Sequence, residues 1–144
     1  MKLAIGEAKK AGQNGEVPIG AILVAENGEV IASAHNRTIS LCDPSAHAEI
    51  LVLRKAGIII KNYRLLETIL YVTIEPCIMC MGAVINSRIK KIVFGAYDPK
   101  GGAAGSLYNF TEDKRLNHKT RLISGICEEE CRSLIQEFFK KKRG

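Results

Sequence analysis

The sequence predicts an α/β sandwich with a mixed sheet. Three observations carry that prediction. Short apolar, β-prone runs alternate with stretches of helical spacing after an opening hairpin. No apolar run approaches the roughly 18 residues of a membrane span. The 144 residues, 47% of them hydrophobic, suffice for one domain, 1–144, with a full core.

The elements follow in order. Met1 to Gln13 carries Leu3, Ala4, Ala8 and Ala11 near helical spacing and predicts a first helix. Val17–Ala25 and Glu29–Ala34 read as two strands, with Asn27-Gly28 between them as a two-residue hairpin turn. Asp43-Pro44 reads as a helix start, an acid cap followed by proline at the first helical position. That helix is expected from about Ser45 to Ala56, stopping at Gly57. Thr68–Thr73 is a buried strand, and Pro76 opens a helix from Cys77 to about Ser87. Lys91–Ala96 is the next strand, followed by the glycine-rich loop Gly101–Ser106. A short strand near Arg121–Ser124 and a helix from about Glu128 to Lys142 close the chain.

The chemistry concentrates in His47-Ala48-Glu49 and Pro76-Cys77-Ile78-Met79-Cys80. One histidine and two cysteines make three ligands for zinc, which leaves the fourth tetrahedral position open, as in a catalytic site. On this reading all three lie in the first turns of helices, where unpaired N–H groups and the helix dipole favour thiolate. A lone C-x-x-C also fits a redox pair or half of a structural zinc site. A structural site wants a second such pair, and none exists; Cys127 and Cys131 are four apart in the last helix, where a buried face explains them better. His35 and His118 lack ligand spacing and are expected to be structural or substrate-facing. Glu49 is placed to carry protons without binding the metal. An open zinc position suits activation of a water as nucleophile, with Glu49 as the acid–base group.

The H-x-E and P-C-x-x-C pair is the known signature of zinc-dependent nucleobase deaminases, so the match is a resemblance and not an independent derivation. Over nearly its full length the chain resembles the bacterial tRNA-specific adenosine deaminases of the cytidine/deoxycytidylate deaminase superfamily. The resemblance rests on Glu16–Ala21, His35–Arg37, Asp43–Ile50, Asn62–Leu65, Leu70–Cys77, Ser87–Ile89, Gly102–Ser106 and Asn117-His118. It implies a three-layer α/β/α cytidine deaminase-like fold with roughly five strands. It also implies Zn2+ and conversion of adenosine to inosine at the wobble position of a tRNA anticodon, tRNA-Arg most often. A homodimer with the anticodon loop at the subunit junction is implied as well. Residue by residue, Asn36 is expected to hydrogen-bond the nucleoside, Ala48 to offer its backbone N–H to the base, and Asp98 to lie near the target nucleotide. Phe138, Phe139 and Lys140 are expected at the RNA, one phenylalanine packing while the basic tail meets phosphate. Tyr97 stands where the family more often has Arg or Lys, and the first helix is shorter than the family's.

The remaining properties agree with this reading. The formal charge is +6 and the pI about 9.1, which favours an anionic partner. Five cysteines, an odd count, suit a reducing compartment. The N-terminus lacks a signal-peptide pattern, so a cytoplasmic location is expected. Rivals are a deaminase of a free base or nucleoside, such as guanine or cytosine, and a catalytically silent zinc-stabilised RNA-binding module. Glu49 argues against the silent module, because a structural site has no use for an acid placed to transfer protons.

Overall fold

The β-branched and aliphatic runs pair into one mixed sheet in the computed structural model, which describes residues 1–144. The order along the chain is α1 (Lys2–Gln13), β1 (Gly20–Ala25), β2 (Val30–His35), α2 (Ala48–Ile60), β3 (Thr68–Ile74), α3 (Ile78–Asn86), β4 (Lys91–Ala96), β5 (Arg121–Ile123) and α4 (Glu128–Arg143). Strands lie in the order β2-β1-β3-β4-β5. β1 is antiparallel to β2 and β3, whereas β3, β4 and β5 run parallel. The parallel pair needs a crossover, and α3 supplies it. β4 is buried along nearly its whole length, as a central parallel strand should be.

Helices cover both faces. α2 and α3 pack on one, through Val52, Ala56, Met81 and Val84 against Leu23, Leu70, Val72 and Phe94. α1 and α4 pack on the other, where Ile5 and Cys131 meet Ile74 and Ala96. The three-layer, five-stranded expectation therefore holds. Gly20 marks how close α1 comes: a Cβ there would lie 2.0 Å from the Ala4 carbonyl oxygen. No helix is long and apolar enough to cross a membrane.

Two local expectations are corrected. The hairpin is not a two-residue turn. Only Gly28 takes positive φ, and Ala25 N–H donates to the Glu29 carbonyl at 2.9 Å across the three residues between them. Asn27 instead accepts the Glu29 N–H through its side chain, at 3.0 Å. The second difference is α2, which starts three residues late and ends late. Asp43 caps a separate turn, accepting the Ser45 N–H and hydroxyl at 2.8 and 2.7 Å. His47 stays extended (φ −72°, ψ 152°) and the helix begins at Ala48. At the other end Gly57 is carried inside the helix, and Lys61 closes it in the left-handed conformation with φ 60°.

Glu16 ties the loop between β2 and α2 to the start of β1. It is 1% exposed. It accepts the Ile39 and Ser40 N–H groups at 3.0 and 2.7 Å, and the Thr38 hydroxyl lies at 3.5 Å. Burial pushes its carboxyl up, but these donors together hold it below the usual carboxylate range. A lowered folded pKa adds stability that is present above the unfolded value and lost as pH falls through the folded one. We expect Glu16→Gln to destabilise the protein by about 1–3 kcal/mol at neutral pH. Thermal melts across pH should show the gap to wild type constant from pH 6 to 8 and shrinking below roughly pH 4.5. A gap independent of pH would show that the Glu16 charge contributes nothing.

Candidate active site

Two helix starts converge to build the site. His47 is the N-cap of α2, and Cys77 is the N-cap of α3, with Cys80 in the first turn. Sequence reasoning put His47 and Cys77 inside the helices; both are instead extended residues just before them. An N-cap side chain ordinarily accepts a hydrogen bond from the first turn. Neither of these does. Extended backbone swings both side chains out of the helix axis and toward each other.

The His47 Nδ1 lies 3.6 Å from Cys77 Sγ and 3.5 Å from Cys80 Sγ. Zn–S and Zn–N bonds of about 2.3 and 2.0–2.1 Å at a tetrahedral angle require an N···S edge of about 3.5 Å. Both N···S edges of the trio match that value. All three ligand atoms lie within 4.8 Å of one another, and Glu49, Cys127 and Cys131 are outside the group.

The protonation of the trio points the same way. Hydrogen bonding from Cys80 and then His47 pulls the Cys77 thiol down to about 4, against the cost of burial. The hydrogen bond to Cys77 raises His47. Cys80 is pushed up, by its contact with Cys77 and by burial. One thiolate thus forms readily beside an imidazolium, while a second like charge is resisted. A divalent cation removes that resistance and holds both sulfurs as anions.

Glu49 is in the first turn of α2 and only 3% exposed. Burial pushes its carboxyl up to about 7, despite its own backbone N–H and the neighbouring His47, which favour the charged form. A carboxyl in that range can both take and give a proton at neutral pH.

Asn36 follows β2, buried, and its Oδ1 accepts the Ala48 N–H at 2.8 Å. The sequence reading gave that N–H to the base. In the structure it is engaged within the protein, and Asn36 supplies the cap that His47 gives up. The Asn36 amide NH2 remains for a ligand. Asp98 lies two residues past β4 and turns back on itself, accepting the Lys100 N–H at 3.1 Å. Phe138, Phe139 and Lys140 lie toward the end of α4, in the helix layer opposite α2 and α3. Phe138 is half-buried, lines a surface cleft with Pro18 and Gly12 and lies under the Lys142 ammonium, whereas Phe139 is exposed. His35 faces Glu7 at 3.7 Å and His118 meets the Ile89 carbonyl at 2.8 Å, both structural roles.

Sequence reasoning missed the part played by Glu75. This buried acid accepts the backbone N–H groups of Asp98, Ala104 and Ser106 at 2.9–3.0 Å. The signal was an ionisable residue wedged between an apolar strand and Pro76-Cys77, where burial is forced.

Comparison with known proteins agrees with this geometry. The model of the cytidine and deoxycytidylate deaminase zinc-binding region matches residues 1–96. A tRNA-specific adenosine deaminase of Bacillus subtilis is 52% identical over 99% of this chain and 88% of its own length. A solved structure from work on A-to-I editing by tRNA:A34 deaminases superposes with TM-score 0.89 at 46% identity, covering 93% of this chain and 96% of that one. A guanine deaminase of Nitrosomonas europaea superposes at TM-score 0.82 but only 23% identity, over 95% of this chain and 81% of that one, and shares the fold alone.

The ligand assignment is checked by metal content. Purified His47→Ala and Cys80→Ser are expected to lose zinc. Glu49→Ala is expected to retain it at the wild-type ratio, and zinc loss there would make Glu49 a ligand.

Proposed function

This chain belongs to the cytidine and deoxycytidylate deaminase family, among the tRNA-specific adenosine deaminases, and on that premise we propose that it converts adenosine to inosine at the wobble position of a tRNA anticodon. The observation that carries the reading is a three-ligand metal set paired with a buried acid that stands outside it. The expected substrate is the anticodon stem-loop of tRNA-Arg, and the reaction consumes one water and releases one ammonia.

His47, Cys77 and Cys80 are the residues that would hold zinc. Bound there, the ion lowers the pKa of water from about 15.7 to about 7. Glu49 handles the protons: it takes one from the attacking water, delivers it to the ring nitrogen, and helps protonate the departing ammonia. Asn36 orients the nucleoside through its free amide group, while its other end fixes the start of α2. Asp98 is assigned to the ribose, where a carboxylate can accept a hydroxyl donor that DNA lacks. Phe139, Lys140 and the basic residues after them are assigned to the RNA flank, with a cytoplasmic enzyme as the setting.

A homodimer completes the reading. Ile58 is 78% exposed, and Ile59, Ile60, Tyr63 and Leu66 are exposed beside it. Ile58 and Tyr63 line a cleft between α2 and α3 together with Leu53, Gly57, Leu65 and Ala83. Contiguous apolar surface of this kind marks an interface, and a second copy of the chain is its occupant.

The deciding experiment incubates zinc-loaded protein with an anticodon stem-loop bearing adenosine at the wobble position, beside free adenosine, cytosine and guanine. Inosine from the stem-loop alone is expected; ammonia from a free base alone would move the protein to base salvage. In the same assay Glu49→Ala should lower kcat by about 10²–10⁴-fold. Neutralising Lys140, Lys141, Lys142 and Arg143 should weaken stem-loop binding and flatten its salt dependence. An unchanged salt slope would remove the tail from the interface.

A further inference from the structure

Glu75 is 3% exposed at the end of β3, two residues before the first cysteine ligand. An ionised carboxylate only accepts, and has about four lone-pair sites. Four donors converge on this one. Oε1 accepts the Asp98 N–H at 2.9 Å and the Ser106 hydroxyl at 2.5 Å. Oε2 accepts the Ala104 and Ser106 N–H groups at 3.0 and 2.9 Å. None of these partners is a cation, so backbone dipoles and one hydroxyl compensate the buried charge. Gly102 has no side chain because the carboxylate fills its place: a Cβ there would lie 2.1 Å from the Glu75 carboxyl carbon. The same loop is joined to the ligand segment by the Ala103 N–H, which donates to the Pro76 carbonyl at 2.8 Å, and by a bridge between Cys77 and Gly102.

We propose that Glu75 is a positioning residue that moulds the loop 98–106 against the ligand segment and so sets affinity for the RNA substrate, leaving the rate of the chemical step to Glu49 and the metal trio. The proposal rests on the RNA reading above. Its physical basis is preorganisation. A nine-residue connection rich in glycine would lose conformational entropy on binding a polymer, and Glu75 fixes it beforehand. Ala103 and Ala104 are fully buried in consequence, so the glycines here do not make the loop loose. Glutamine in place of Glu75 would turn an NH2 toward N–H donors and leave at least one of them unmet.

The test compares wild type, Glu75→Gln, Ser106→Ala and the double variant, all zinc-loaded. Zinc content, thermal midpoint, kcat and KM on the stem-loop, and amide exchange at Ala104 and Ser106 are measured. Glu75→Gln should keep its zinc and hold kcat within about threefold while KM rises about tenfold or more. Ser106→Ala should raise KM about threefold, and the double variant should stay within about twofold of Glu75→Gln, since both changes act on one contact. The Ala104 and Ser106 amides should exchange faster in Glu75→Gln. Wild-type KM with unchanged exchange overturns the proposal. So does loss of zinc or of kcat at constant KM, which would place Glu75 with the ligands. Should Glu75→Gln fail to fold, wild-type KM and exchange in Ser106→Ala overturn it instead. If wild-type protein makes no inosine from the stem-loop, the tRNA reading fails, and amide exchange with stem-loop binding still decides the anchoring.

Discussion

The site depends on two helices beginning with residues that do not cap them. His47 and Cys77 occupy N-cap positions and spend their side chains on each other. Helix starts leave N–H groups unpaired, and a thiolate or a carboxylate is the group that such a start favours. Forgoing the cap therefore costs stability but supplies the electrostatics that hold a sulfur anion. Asn36 recovers part of the cost by accepting the Ala48 N–H from outside the helix. The strand order makes this possible. The parallel β3–β4 pairing requires α3 to start at the end of β3, and α2 lies across the same face of the sheet, so both helix starts come to one place.

The metal set and the sheet were legible in the sequence because spacing carries them. Cys77 and Cys80 are three apart beside a proline, and period-two and period-3.6 patterns place the strands and helices. The start of α2 was misread for a physical reason. Asp43-Pro44 does begin a turn, but Asp43 closes it on Ser45 and leaves the chain extended through His47. A single helix from Ser45 would have wound His47 into its first turn. Its ring would then leave the direction of the cysteines. Local signals marked the turn correctly, and the tertiary requirement at His47 decided where the helix could begin.

Buried acids were the part that periodicity hides. Glu16 stands just before an apolar run that contains Pro18, and Glu75 stands between the β3 run and Pro76. Hydrophobic pattern says which face is inside, not which polar side chain goes inside with it. Each carboxylate is surrounded by N–H and hydroxyl donors from one loop, 38–40 for Glu16 and 98–106 for Glu75. Both loops leave the sheet next to a ligand-bearing segment. The charge of each acid is thus converted into loop geometry, and the loops do not need helices or strands of their own to be ordered.

This separates chemistry from recognition in the molecule. The trio and Glu49 are set by α2 and α3, whose inner faces join the main core and whose starts tolerate little displacement. The rim is made of the loops 38–40 and 98–106, each held by a single buried acid. The sheet and its helices are shared with a guanine deaminase at 23% identity, a likeness of fold. Glu75 stands at the boundary between the two parts, two residues from a ligand in sequence yet bonded entirely to the rim.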